Sequence, residues 1–127
     1  MPHVDVIFRG EDKTIEITIT DANDVAIDLD TADEIIIRLL DESSNTIEKY
    51  SKTVQVGFKT LDIPTPALGI MNLFLNAAQT DVAAKGFMSA EIKMEFTDVN
   101  FDDDTLSAVT TIPSLAMIKD SETILDL

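Results

Sequence analysis

The chain has 127 residues and no cysteine, which excludes a disulfide framework and a thiolate metal site. Its formal net charge of −15 disfavours binding to nucleic-acid phosphates or to anionic membranes, so we expect neither as a partner. Because 45% of the residues are hydrophobic, the sequence predicts one folded domain over residues 1–127, with short terminal arms, rather than a disordered acidic chain.

The first third of the chain shows the period of two that is typical of β-strands. Its opening residues, MPHVDVIFRG, lack the charged and apolar regions of a signal peptide, so we expect a soluble and unprocessed protein. Apolar and polar residues alternate over residues 4–9, 14–20 and 25–30, with turn-forming Gly, Asp and Asn between them. This region therefore predicts three short strands.

The middle of the chain predicts strands of different burial. Residues 34–40, EIIIRLL, form an apolar run, which indicates a central strand or one covered on both faces. Residues 46–52 are more polar and predict an edge strand, on which Lys49 and Lys52 oppose edge-to-edge association. Over residues 53–66 the pattern weakens, since the two prolines there restrict any strand to an edge.

A strand, a short helix and a long strand follow. Residues 70–75 are nearly all apolar and predict a strand buried on both faces. Asn76 and Gln79 have the spacing of a capping box, which predicts a helix over about residues 77–85, ended by Gly86. From residue 87 to 97 the alternation is the clearest in the chain and predicts a half-buried strand.

The last part of the chain predicts an acidic loop and further strands. Residues 97–105 read as a polar loop, and residues 106–112 as a strand that Pro113 breaks or bulges before a last strand over 115–119. Residues 121–127, SETILDL, are acidic and apolar by turns, and we expect this arm to fray or to dock on a neighbouring chain. About eight short strands and one helix predict an all-β antiparallel sandwich.

Several features in chain order resemble immunoglobulin-like modules of bacteriophage virion proteins. One is Phe-Arg-Gly-Glu-Asp at residues 8–12, followed by the β-branched strand and by Asp28-Leu29. Another is a strand, a Leu-x-x-x-x-Thr helix (Leu75, Thr80), Lys85-Gly86 and a long alternating strand that ends before an acidic loop. The chain resembles in particular the N-terminal domain of phage upper-baseplate proteins, and the resemblance covers roughly residues 5 to 120.

This resemblance implies a fold and a setting. The fold would be an immunoglobulin-like sandwich, and the chain would be a non-enzymatic structural part of the virion, on the tail, baseplate, fibre or capsid. It would be assembled in the host bacterial cytoplasm and would hold other virion proteins or copies of itself. The family often has a tyrosine two residues after the glycine, a position that resembles the tyrosine corner; here Met88 occupies it.

Two groups of acidic residues are candidate cation ligands. The loop has Asn100 and four carboxylates, and Ca²⁺ takes six to eight such oxygen ligands. These carboxylates are Asp98, Asp102, Asp103 and Asp104. The second group is Asp21, Asp24, Asp28, Asp30 and Asp33, of which Asp28 and Asp30 would share one strand face. A solvated surface with turn chemistry is the main interpretation. The alternative is a Ca²⁺-dependent adhesion or carbohydrate-binding sandwich, and no other cofactor is expected.

The sequence offers little catalytic chemistry but several contact surfaces. The one imidazole, His3, lies near the start of the chain, and a sugar-cleaving site would bring more aromatic platforms than a chain without tryptophan offers. We therefore expect a non-enzyme. Partner contacts are predicted at the edge around Lys49 and Lys52, at the acidic loop with Phe101, and in the C-terminal arm. The arm residues concerned are Ile124, Leu125 and Leu127.

Overall fold

Two β-sheets pack face to face in a computed structural model that describes residues 5–120. The strands are β1 (Asp5–Phe8), β2 (Lys13–Thr18), β3 (Glu34–Leu40), β4 (Thr46–Ser51), β5 (Lys59–Thr60), β6 (Asp62–Thr65), β7 (Ile70–Leu75), β8 (Gly86–Thr97) and β9 (Thr105–Lys119). One α-helix, α1, spans Ala77–Val82, and two 3-10 helices span Leu29–Thr31 and Pro66–Leu68. The predicted all-β sandwich with one short helix is confirmed, with nine strands among the described residues.

The two sheets differ in width. The larger sheet has the strand order β1-β9-β8-β3-β4-β5, and the smaller one has the order β2-β7-β6. Most neighbouring strands are antiparallel, as predicted, whereas the pairs β1–β9 and β4–β5 are parallel. The first and last described strands therefore lie side by side in the larger sheet.

The core lies between β8 and β3 of the larger sheet and β2 and β7 of the smaller sheet. The alternation predicted for β8 is confirmed, since Met88, Ala90, Ile92 and Met94 are all buried. Their partners across β3 are buried as well, with Ile37 opposite Ile92. The facing sheet contributes alternate residues of its own strands: Ile15, Ile17, Met71, Leu73 and Leu75. Burial of this apolar area supplies the main driving force for folding.

Two local predictions were wrong. β7 is buried on one face, because the outer face of the smaller sheet meets solvent and Phe74 is 47% exposed there. Residues 25–30 do not form a strand; they make one isolated bridge, between Thr20 and Ala26, and then the 3-10 helix that follows Asp28. Residues 54–58, where the sequence pattern weakens, form no strand: Val54 has a positive φ of 60°, and the Phe58 N–H donates to Gln55 O at 3.1 Å in a turn.

The helix is shorter than predicted. It ends at Val82 because Ala83 is extended and the N–H of Ala84 donates to Asp41 Oδ2 at 3.0 Å. Burial raises the pKa of Asp41, but hydrogen bonds from backbone N–H groups, first that of Ala84, outweigh burial and lower this pKa overall. Gly86 does not end the helix; it opens β8 with φ 124°. At the other end, Gln79 Oε1 accepts from the Asn76 N–H at 2.9 Å, which confirms that half of the capping box.

β9 is one strand and not two. Pro113 does not interrupt it but lies in a bulge, because Met88 pairs with Ala116 while Ala90 pairs with Ile112. Ser89 of β8 is thus opposite three residues of β9, 113–115, which bends the longer strand. This bulge separates the half of β9 that pairs with β1 from the half that does not.

Tyr50 joins the two sheets. It is 1% exposed, and its Oη donates to the backbone oxygen of Phe74 at 2.8 Å. Burial, with a smaller contribution from the Glu48 charge, raises the pKa of Tyr50 far above its usual range, so the hydroxyl remains a donor. Met88, at the tyrosine-corner position, is fully buried in the core.

We expect Tyr50→Phe to lower the free energy of unfolding by about 1 kcal/mol, because the Phe74 carbonyl loses its donor while the ring stays in place. Urea unfolding followed by circular dichroism measures this difference. For Tyr50→Ala, which also removes the buried ring, we expect a loss of about 3 to 5 kcal/mol. An equally large loss in Tyr50→Phe would contradict our view that this variant loses only the hydrogen bond.

Candidate functional site: an open edge of the sandwich

The smaller sheet leaves part of the larger sheet uncovered. Three additional strands at about 4.8 Å each make the larger sheet roughly 14 Å wider. The inner face of the larger sheet is most exposed on β9. Ala108 and Thr110 of β9 face the same way as the buried β8 side chains but are themselves exposed. Across the ladder, Met94 and Ile92 are only 5% and 1% exposed. The sandwich is therefore open along the first half of β9.

A groove of about 330 Å³ runs along this opening, and we call it the open-edge groove. One wall is the end of β2 with Ile19 and Ile27, and the other is β9. Ile92, Met94 and Ile112 also line it, and the remaining side chains are small, aliphatic or threonine, with no charged group among them. In a chain of net charge −15, an uncharged groove of this kind favours apolar side chains over ions.

The backbone beside the groove is unpaired on one side. β1 pairs with Ala116 to Lys119, and no residue within 5–120 pairs with the outer edge of Thr105–Thr111. Every second residue of an edge strand directs its N–H and C=O away from the sheet, so about four residues of this stretch offer free donors and acceptors. The groove and the free edge lie side by side and form one candidate interaction surface.

Gly69 shapes the β2 wall of the groove. Ile19 donates its N–H to Gly69 O at 2.8 Å and accepts from the Ile27 N–H at 3.1 Å, which holds residues 19 and 27 together. Gly69 has φ 69°, and a Cβ there would lie 2.4 Å from Ile19 O. Only glycine allows this close approach of backbone to backbone.

A second, more polar depression lies on the outer face of the larger sheet. Its lining includes Ile36, Phe58 and Val109 together with charged groups from three strands. The Lys49 Nζ lies 4.6 Å from the centre of the Phe58 ring, which is cation–π geometry. Arg38 pairs with Glu91 on the same face. Lys49, one of the predicted contact residues, is therefore engaged with a neighbouring aromatic ring.

The other predicted contact residues lie apart from one another. The Lys52 ammonium donates to the carbonyls of Leu29 at 3.0 Å and Ala32 at 2.5 Å, so it stabilises the end of a 3-10 helix. Phe101 is 46% exposed in the acidic loop. Ile124, Leu125 and Leu127 lie outside the described residues.

The acidic loop is organised by hydrogen bonds within the loop itself. Asp98 Oδ1 accepts from the Asn100 N–H at 3.0 Å, and Asp103 Oδ1 accepts from the Thr105 N–H at 3.1 Å. Asp104 adopts φ 57°, a conformation that aspartate tolerates in turns. Within residues 5–120, no three acidic or histidine side chains are grouped so that they could hold a metal ion. Asp102 is exposed beside them.

Several carboxylates of the second acidic group also accept hydrogen bonds that stabilise local turns. Asp21 Oδ1 accepts from the N–H groups of Asn23 and Val25, and Asp28 Oδ1 accepts from the Asp30 N–H. The prediction that Asp28 and Asp30 share a strand face was wrong, because the chain there is a 3-10 helix capped by Asp28. Asp33 accepts from the Thr97 hydroxyl at 2.6 Å.

We expect millimolar Ca²⁺ to leave the melting midpoint of the protein unchanged relative to chelator, because Asp98 and Asp103 already accept backbone hydrogen bonds and no three carboxylates within residues 5–120 converge. Differential scanning calorimetry with and without chelator measures the midpoint. A ligand that binds only the native state must raise it. A clear rise with Ca²⁺, absent with Mg²⁺ at equal ionic strength, would favour the calcium-dependent module instead.

Nothing within residues 5–120 forms a helix with the length and apolar character that crossing a membrane requires. No protein-family model matches the chain, and no curated protein matches its sequence.

Proposed function

We propose that the chain is a non-enzymatic structural module of a bacteriophage particle, part of its tail, baseplate, fibre or capsid-associated layer. The observation that carries the proposal is the succession of β7, α1 and β8 in a two-sheet sandwich. It is the same succession of strand, short helix and long strand on which the resemblance to phage virion modules rests. The α-helix is tied into the sandwich by Thr80, whose hydroxyl donates to Glu11 O at 2.8 Å and accepts from the Gly10 N–H at 3.0 Å.

The proposed mechanism is passive assembly. The apolar core makes a rigid body, and the open-edge groove with its free strand edge supplies a joint. The net charge of −15 separates free copies until a complementary surface or a higher ionic strength offsets the repulsion. Partners are other virion proteins or further copies of the chain, and assembly takes place in the host bacterial cytoplasm.

Two experiments test this proposal. First, we expect the genes beside the one that encodes this chain to specify capsid, portal or tail proteins; a neighbourhood of metabolic genes would count against a virion role. Second, we expect sedimentation velocity in about 0.01 M salt, where the screening length is near 30 Å, to show mainly monomer. Large oligomers under that condition would contradict the role given to the charge.

A further inference from the structure

We propose that the open-edge groove receives residues Thr123–Leu127 of a second copy of the chain, which add a strand beside the first half of β9. The inference rests on the proposed assembly function, to which it adds the partner and the contact. It would make self-association an exchange of strands between copies. The observations that carry it are the free edge and uncharged lining of the groove, the alternation of the C-terminal segment, and the distance between them along one chain.

The groove has the two parts that strand addition uses. The outer edge of Thr105–Thr111 offers backbone donors and acceptors in a row, without a partner among residues 5–120. Beside that edge, Ala108 and Thr110 are exposed over a floor formed by Ile92 and Met94. In strand addition, main-chain hydrogen bonds give affinity and the pockets for alternate side chains give specificity.

The C-terminal segment has the matching pattern. Thr123, Leu125 and Leu127 alternate with Ile124 and with the acidic residues at positions 122 and 126. In an extended strand these sets point to opposite faces, so two leucines and a threonine would enter the groove while the carboxylates stay in water. The segment thus meets an uncharged groove with an uncharged face.

The same segment of the same chain cannot occupy this position. Lys119 lies at the far end of β9, and a return from it to Thr111 crosses eight residues of strand, about 26 Å. Leu127 is eight residues beyond Lys119 and could at most reach the level of Thr111, so residues 123–127 of the same chain cannot pair along Thr105–Thr111. In addition, β1 already occupies the edge beside Ala116 to Lys119. Residues 123–127 can therefore enter the groove only from another copy of the chain.

Charge determines when the exchange occurs. Two copies of net charge −15 repel each other at low ionic strength, and salt screens this repulsion while the apolar contact in the groove persists. We expect association to strengthen as salt rises to about 0.5 M, which is the opposite of the behaviour of an ion-pair interface.

Sedimentation velocity of the full chain at about 0.5 M salt tests the inference with two variants and a control. Ala108→Glu places a carboxylate in the groove and leaves the C-terminal segment intact. Leu125→Asp/Leu127→Asp spoils the segment and leaves the groove intact. Ser107→Glu is the matched control, because it adds the same charge to the preceding residue of β9 on the outer face, opposite Glu95 and outside the groove lining. Circular dichroism verifies that each variant is folded; position 108 is exposed, so its substitution should be tolerated.

We expect the wild type and Ser107→Glu to associate alike, and each of the other two variants to weaken self-association at least about tenfold. Mixing Ala108→Glu with the Leu125→Asp/Leu127→Asp variant should restore a 1:1 complex, since one supplies the segment and the other the groove. The inference is overturned if the wild type stays monomeric, if Ala108→Glu associates like the wild type, or if the mixture stays monomeric. If the chain is nevertheless found in purified phage particles, the groove inference alone has failed and the proposed virion role stands.

Discussion

Gly69→Ala should destabilise the protein by about 3 kcal/mol or more, a large effect for the addition of one methyl group. Two costs add. An alanine at φ 69° is strained, at about 1 kcal/mol or more, and its Cβ would meet the Ile19 carbonyl oxygen at 2.4 Å, a distance that the backbone must relieve by moving. Because Ile19 also accepts from the Ile27 N–H, that movement would disturb one wall of the open-edge groove.

Gly57→Ala is the control for the conformational cost alone. Gly57 has φ 85°, and a Cβ there would meet nothing within 4 Å. We expect it to cost only about 1 kcal/mol. Urea denaturation of both variants measures the difference in their free energies of unfolding. Equal losses of stability would show that the close approach of Gly69 to Ile19 does not contribute to the cost.

Glu34 should give the second large effect. It is 8% exposed, and its carboxylate joins the start of β3 to the chain that follows β4. Oε1 accepts from the Ile35 N–H at 2.9 Å, and Oε2 accepts from Gln55 Nε2 at 2.7 Å. Further donors are the hydroxyl of Ser51, the N–H of Lys52, and the N–H and hydroxyl of Thr53. The carboxylate thus ties residues 51–55, where β4 ends, to the start of β3.

We expect Glu34→Gln to lower the free energy of unfolding at pH 7 by about 2 to 4 kcal/mol. Glutamine keeps one acceptor oxygen but turns an NH₂ toward groups that are themselves donors, which leaves buried N–H and O–H groups without partners. Thermal unfolding of this variant and of Glu16→Gln, on the exposed face of β2, measures the effect. The control should change by less than about 0.5 kcal/mol, and similar losses in the two would refute the role of the network.

The contribution of Glu34 should also depend on pH. Burial raises the pKa of Glu34, but hydrogen bonds, first from the side chains of Thr53 and Gln55, outweigh burial and lower this pKa in the folded state. The carboxylate therefore adds stability above the pKa of the unfolded chain, near 4.3, and loses it as the pH falls through the lower folded pKa. We expect the stability difference between wild type and Glu34→Gln to be constant from pH 6 to 7 and to shrink below about pH 4.3. A difference that grows on acidification would contradict the direction of this pKa shift.

The sequence was most informative where one pattern had one physical cause. β8 alternates because one of its faces meets the other sheet and the other meets water, so its buried residues could be read directly. For β7 the prediction of burial on both faces was wrong, because Ile70 and Phe74 are apolar although they lie on the outer face of the smaller sheet. The predicted end of α1 was wrong because the end depends on Asp41, which is distant along the chain, and not on the nearby Gly86.

The candidate site depends on features that no local pattern contains. The open edge follows from the short pairing of β1 with the end of β9, which requires knowledge of strand order. One feature of the sequence is consistent with the open edge. Residues 107–111 of β9, SAVTT, are small or β-branched on both faces, as in a strand that makes few contacts with a facing sheet. The role of Glu34 could not be predicted, because it begins an apolar run and its partners Thr53 and Gln55 lie 19 and 21 positions further along the chain.

Purified phage particles offer the most direct test of the proposed virion role. The proposal places the gene for this chain in a phage or prophage genome, and particles made by that phage can be banded on a density gradient and their proteins quantified by mass spectrometry. A virion module should be present in the band at a fixed number of copies per particle, and that number should survive a wash in about 0.5 M salt, which screens loose electrostatic contacts. Absence of the chain from a band that contains the capsid and tail proteins would contradict the proposal.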